Sequence, residues 1–112
     1  MANTFKNAKV VNVNGSGAPD TLYTVPSSTT TIVLSLNLCN KNAASRTVTV
    51  NWTDGSDTDA STVLLNEVAI PGDTTLEVLS GQKIVLMATD ALKVVASAGT
   101  SIDATLSYME IT

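Results

Sequence analysis

The densest group of acidic side chains in the sequence lies in one short stretch. Asp54, Asp57 and Asp59 lie in the stretch DGSDTDAS, which follows Trp52. Carboxylate oxygens are ligands that Ca²⁺ accepts. However, the stretch lacks the Asp-x-Asp-x-Asp-Gly order and the distant Glu of a helical calcium loop, and Gly and Asp also form turns readily. We therefore favour a solvated loop tip over a calcium site, and we predict no metal and no other cofactor.

The residues that most enzymes use for proton transfer and nucleophilic attack are missing. The sequence contains no histidine, and histidine is the most frequent general base and metal ligand. Ser–His and Cys–His catalytic pairs are therefore excluded. Cys39 is the single cysteine, so it has no partner for a disulfide within the chain. We predict that the protein has no catalytic residues and is not an enzyme.

The composition limits the classes of partner. Hydrophobic residues make up 44% of the 112 residues, charged residues only 14%, and the net charge is -4. A nucleic-acid partner would require a basic face, and a membrane span would require a run of ~20 apolar residues. Neither feature is present, so we expect no nucleic-acid and no membrane partner. The first residues also lack the apolar run of a signal peptide, which favours synthesis in a cytoplasm.

Apolar residues alternate along most of the chain and predict β-strands. The clearest strand runs from Thr31 to Asn40, and a second, from Arg46 to Thr53, is expected to pair with it as a hairpin. On the first strand the residues expected to face the core are Ile32, Leu34, Leu36 and Leu38. Turn residues recur about every 8–12 residues, and no segment keeps a helical apolar spacing. The sequence predicts an all-β, antiparallel β-sandwich, jelly-roll-like or immunoglobulin-like, with about eight or nine strands and no substantial helix.

Three further details follow from the same alternation. The apolar spacing shifts between Leu65 and Val68, which predicts a β-bulge near Asn66. The turn Ala98-Gly99-Thr100 is expected to make the last hairpin, into the strand from Ile102 to Ile111. The few large aromatic residues are expected in the core rather than at the surface: Trp52, Tyr23 and Tyr108.

The first 21 residues are expected to form a distinct part of one overall domain. A strand is predicted within residues 4–13, and Gly15-Ser16-Gly17 forms a flexible break before the sandwich body of residues 22–112. A loosely tethered strand can add to the sheet edge of a partner. The interface residues predicted on this basis are Phe5, Lys6, Lys9, Val11 and Val13. The alternative is a first strand that pairs only within its own sheet.

Three stretches from Leu22 onward carry a resemblance in running text. They are LYTVPSSTTTIVLSLNLCN, LEVLSGQKIVLMATDALKVVASA and IDATLSYMEIT, at residues 22–40, 76–98 and 102–112. Together they resemble a family of small virion structural proteins of tailed double-stranded DNA bacteriophages. The resemblance implies a β-sandwich that is built into a phage particle after synthesis in the bacterial host cytoplasm.

Within that family, we expect a capsid decoration or cement protein. Its acidic charge suits the outer surface of the head, where it would bind the major capsid protein or other virion proteins and stabilise the shell. A homo-oligomer is expected, with a trimer favoured. One alternative is a tail, neck or fibre-associated virion protein. A second alternative, a carbohydrate-binding module, predicts an exposed Trp52 or Tyr23.

Overall fold

The chain folds into two antiparallel sheets, in a computed structural model that describes residues 2–15 and 17–112. The strands of these residues are β1 (Asn3–Val10), β2 (Asp20–Thr24), β3 (Thr30–Asn40), β4 (Arg46–Asp54), β5 (Ala60–Ile70), β6 (Thr75–Glu77), β7 (Ile84–Leu86), β8 (Ala91–Ala96) and β9 (Ile102–Ile111). A 3-10 turn at Gly55–Asp57 lies between β4 and β5. The predicted all-β sandwich is confirmed.

The strand order is that of a jelly roll. Sheet 1 has the order β1-β9-β3-β6, with β7 also paired to β3, and sheet 2 has the order β2-β8-β4-β5. Early strands thus pair with late strands in reverse order: β1 with β9, β2 with β8, β3 with β6 and β7, and β4 with β5. A single long ribbon wound into two sheets produces this pattern. Of the two predicted sandwich types, the topology is jelly-roll-like.

Two predicted hairpins are wrong. Strand β3 lies in sheet 1 and β4 in sheet 2, and β8 and β9 are divided between the sheets in the same way. The polar turns after Asn40 and after Ala96 carry the chain across the sandwich instead. Asn40 holds the first crossing, since its buried Nδ2 donates to the carbonyl oxygens of Ala44 (3.0 Å) and Ile70 (2.9 Å). Turn residues favour a change of direction but do not specify the pairing partner.

A bulge in β3 changes which of its side chains face the core. The pairing of β3 with β9 shifts register between Val33 and Ser35. Leu36 and Leu38 are buried as predicted, but Ile32 and Leu34 lie on the outer face, so that part of the prediction is wrong. One extra residue reverses the alternation for the rest of a strand, and Val33 takes the inner position.

The core lies between the sheets and includes both tyrosines. Tyr23 and Tyr108 are buried with ring centroids 4.2 Å apart.

The predicted bulge near Asn66 is confirmed, because the pairing of β4 with β5 shifts there and Glu67 has a φ of 48°. No helix in the described part of the chain is long and apolar enough to cross a membrane.

Candidate interaction surface

Strand β1 forms one edge of sheet 1. It pairs with β9 over its whole length, from Asn3 opposite Ile111 to Val10 opposite Ala104, and within residues 2–15 and 17–112 no strand follows it in the sheet order. The first strand therefore pairs within its own sheet, and its addition to the sheet of a partner stays a prediction. Its other side leaves backbone N–H and C=O groups open, and such an edge can accept a strand from another chain.

The predicted interface residues are not all at the surface. Phe5 is 72% exposed and Val11 57% exposed, and Lys6 and Lys9 are also exposed on β1. Val13, in contrast, is fully buried, and its N–H donates to the carbonyl oxygen of Ile102 at 2.8 Å. The Val13 side chain therefore belongs to the core and not to the exposed surface of this region. Ser16, in the predicted flexible break, lies outside the described residues.

A polar cluster under β1 joins the two sheets. The Nζ atom of Lys6 lies 2.8 Å from Oε1 of Glu110, and the Tyr23 hydroxyl donates to Oε2 of Glu110 at 2.5 Å. Because that donation uses the only hydroxyl proton of Tyr23, the Thr31 hydroxyl, 2.8 Å away, donates to Tyr23. The cluster connects β1, β3 and β9 of sheet 1 with β2 of sheet 2.

The pKa values in this cluster follow from its hydrogen bonds. The bonds from Lys6 and from Tyr23 lower the pKa of Glu110 below its ordinary value, against the opposing effect of burial. The pKa of Tyr23 is raised, first by burial and then by its bond to Glu110. The bond to Glu110 also raises the pKa of Lys6. Because both oxygens of Glu110 are already bonded within the chain, the cluster anchors β1 rather than offering a free carboxylate.

An apolar row crosses the outer face of sheet 1. Phe5 lies opposite Met109, Met109 opposite Ile32, and Ile32 opposite Val85, on four adjacent strands. We call these four residues the outer apolar row. Beside it lies a shallow hollow, which is lined by Phe5, Lys6, Asn7, Leu34, Ser107 and Tyr108. Sequence reasoning found only Phe5, because the row depends on cross-strand register and on the bulge in β3.

Similarity to known proteins is found at the level of fold. No protein-family model and no curated protein matches the sequence. A structure of the Bacillus endospore appendages, described as a novel family of disulfide-linked pili, has a TM-score of 0.53 at 11% identity and covers 100% of this chain and 91% of that chain. A structure of the infectious bursal disease virus Gx strain has a TM-score of 0.51 at 10% identity and covers 98% of this chain and 33% of that chain.

A third structure, the cyanophage Pam1 capsid asymmetric unit, has a TM-score of 0.42 at 13% identity and covers 96% of this chain and 83% of that chain. This chain spans about a third of the viral chain from infectious bursal disease virus, whereas it matches the appendage chain over nearly its full length. The chain shares its fold with proteins of a pilus and of a virus.

The acidic loop is organised as a turn. Oδ1 of Asp54 accepts hydrogen bonds from the backbone N–H (3.0 Å) and the hydroxyl (2.7 Å) of Ser56, which caps the 3-10 turn. Within residues 2–15 and 17–112, no three acidic, histidine or cysteine side chains are grouped so that they could hold a metal ion. The structure thus does not bring Asp54, Asp57 and Asp59 together as a ligand set.

Asp90 holds this loop in place through hydrogen bonds, and its role is not predicted from the sequence. It is buried and accepts hydrogen bonds from Nε1 of Trp52 (3.1 Å) and from the backbone N–H groups of Gly55 (3.1 Å) and Met87 (3.0 Å). In the sequence, an Asp after Thr89 indicates only a turn.

Tyr23 is buried and Trp52 is half-buried with its indole N–H bonded, so the exposed aromatic residue expected of a carbohydrate-binding module is absent at both positions.

Proposed function

We propose that this chain is a non-enzymatic structural protein of a virus particle, and specifically a decoration or cement protein on the outer surface of a tailed bacteriophage head. The observation that carries the proposal is a jelly roll over the whole described chain, a fold shared with a protein of infectious bursal disease virus. The resemblance of residues 22–40, 76–98 and 102–112 to phage virion proteins supports the finer assignment.

Strand β1 is the part of the molecule that we propose contacts the rest of the particle. Its open edge can pair with a strand of the major capsid protein or of another virion protein. Phe5, Lys9 and Val11 extend from this region into solvent and would contact the partner. Three copies joined through a different edge strand, β2 or β6, would form the trimer, and the net charge of -4 suits a surface turned away from the packaged DNA.

Copy number and position in purified virions test this function. In quantitative mass spectrometry, with the major capsid protein as internal standard, a head decoration protein is expected at many copies per particle. A tail or neck protein would occur at about a dozen copies or fewer, as expected for a single ring. Cryo-electron microscopy of the same particles should show the sandwich on the outer head surface. Absence of the chain from purified virions would contradict a virion role altogether.

A filament subunit is the second candidate function, favoured by the match to the endospore appendages across 91% of that chain. Disulfide links along a filament need at least two cysteines per subunit, and this sequence has only Cys39. A filament of this chain would have to be joined by strand and face contacts instead. Negative-stain electron microscopy of the purified chain, with and without reductant, separates filaments from discrete oligomers.

A further inference from the structure

The outer apolar row is exposed along a continuous line rather than at scattered points. Phe5 at one end is 72% exposed and Val85 at the other end 55% exposed, with Met109 and Ile32 half-buried between them. Leu34, on the outer face beside the row, and the exposed Met87, just after β7, extend the apolar surface. Single exposed apolar residues are ordinary, but a contiguous apolar patch on a protein surface marks an interaction site.

The charges on this face favour a second copy of the chain as the occupant. Strand register puts Lys9 and Glu77 on the outer face, away from the row, and Asp103 there forms an ion pair with Lys41 at 3.0 Å. These two positive and two negative charges cancel, and the charge of Lys6, which lines the hollow beside the row, is balanced by its ion pair with Glu110. Two copies that each carry a net charge of -4 repel each other in general, so a neutral face with an apolar row is where they can approach.

The size of the face also suits a pair of copies. Three strands of 8 to 11 residues and two strands of three residues, at ~3.4 Å per residue and ~4.8 Å between strands, present about 600 Å² per copy. Two such faces bury about 1,200 Å², which is the lower end of specific protein interfaces. Sheets stack face to face at a spacing of about 10 Å, and a two-fold axis would set one row against the other.

We propose that two copies of this chain pack sheet 1 against sheet 1 through the outer apolar row. This contact rests on the proposed role as an assembly subunit, and it goes beyond that role by naming the partner and the surface. A trimer joined through strand edges leaves these faces free, so the same contact would join two trimers as it joins two single chains.

A matched pair of substitutions in the full chain tests the contact. Val85→Lys puts like charges into the proposed interface, whereas Val63→Lys changes a valine of nearly equal exposure, 52%, on the edge strand β5 of sheet 2. In sedimentation velocity and native mass spectrometry, the mass of the wild-type assembly should fall by half in V85K and stay unchanged in V63K. Phe5→Lys provides a second variant of the row, and circular dichroism checks that each variant is folded.

Three outcomes would overturn the contact. They are a wild-type chain that is monomeric up to ~1 mM, an equal mass for wild type and folded V85K, and an assembly that dissociates both in reductant and in Cys39→Ser. The last outcome would assign the pairing to a disulfide. A chain that is abundant in virions but monomeric in solution would overturn this contact alone, whereas paired copies of a chain absent from virions would overturn only the proposed function.

Discussion

Glu110 is a buried carboxylate whose hydrogen-bond partners come from different sheets. Lys6 belongs to sheet 1 and Tyr23 to sheet 2, so loss of the negative charge weakens contacts on both sides. We expect Glu110→Gln to lower the free energy of unfolding by about 1.5–3 kcal/mol, the range for hydrogen bonds to a charged group. Urea unfolding followed by the fluorescence of Trp52, the single tryptophan, measures it.

The control for this variant is Glu77→Gln on the short edge strand β6. Glu77 is exposed, and surface substitutions usually change the free energy of unfolding by no more than about 0.5 kcal/mol. Equal losses in the two variants would mean that removal of any negative charge is costly, and would contradict the anchoring role of Glu110.

The same carboxylate gives the protein a defined response to acid. The bond from Lys6 is the main reason that the pKa of Glu110 lies below its ordinary value of 4.5, so the folded chain takes up the proton at lower pH than the unfolded chain. The resulting stabilisation is present above pH 4.5 and is lost as the pH falls through the folded-state pKa. The urea midpoint of the wild-type chain should therefore fall more steeply with acid than that of E110Q. Parallel pH profiles would contradict this.

At the scale of elements, two carboxylates of β9 hold the N-terminal segment. Glu110 binds Lys6, and Asp103 accepts a hydrogen bond from the N–H of Asn12 at 2.9 Å. Burial raises the pKa of Asp103, but the bonds from Asn12 and Lys41 outweigh it, and the net pKa is lowered. Both anchors therefore weaken in acid, and the N-terminal segment is then held mainly by the backbone pairing of β1 with β9.

The crossing from β5 to β6 has a close backbone contact that only glycine permits. A Cβ atom at Gly72 would lie 2.0 Å from the carbonyl oxygen of Ala43, whereas a Cβ atom at Gly99 would meet nothing within 4 Å. We expect Gly72→Ala to lower the free energy of unfolding by about 1–3 kcal/mol, as overpacking does. Gly99→Ala should leave it unchanged or slightly higher. Thermal unfolding of the two variants measures the difference, and similar melting temperatures would contradict it.

The sequence predicts strand positions better than strand partners. The run from Ile102 to Ile111 is a strand with the predicted bounds, because one face is buried throughout and the alternation is unbroken. The alternation in β3 fails at its bulge, and the pairs of the jelly roll join residues far apart in the chain, as with Lys6 and Tyr108. Period-two patterns carry no information about which distant strand is the neighbour.

Because the sequence does not specify which distant strands are neighbours, it predicts only part of the candidate surface. Phe5 is conspicuous in the sequence as an aromatic residue on a polar strand. Met109, Ile32 and Val85 join it only through the register of four strands. Val13 resembles its exposed neighbour Val11 in sequence, but the chain turns inward at Val13, and no local pattern distinguishes the two.

At the scale of the whole molecule, the jelly roll makes the two ends of the chain unequal. Strand β9 lies between β1 and β3, and its inner side chains belong to the core: Ile102, Ala104, Leu106 and Tyr108. Strand β1 lies at the edge and packs only partly buried side chains, Ala8 and Val10, against that core. Loss of β9 therefore separates β1 from β3 and divides sheet 1, whereas loss of β1 leaves sheet 1 continuous but one strand narrower.

Two truncations of similar length test this inequality. A chain that starts at Val11 should keep a cooperative urea transition at a lower midpoint, because β9 then becomes the edge and Glu110 loses Lys6. A chain that ends at Ser101 should lose the cooperative transition in both circular dichroism and Trp52 fluorescence. The reason is that β3 loses β9, its long pairing partner, and the core loses the inner side chains of β9. Cooperative unfolding of the second chain would mean that sheet 2 folds without a complete sheet 1. The jelly roll would then be two separable units, and strand pairing across the ribbon would not be what makes the sandwich cooperative.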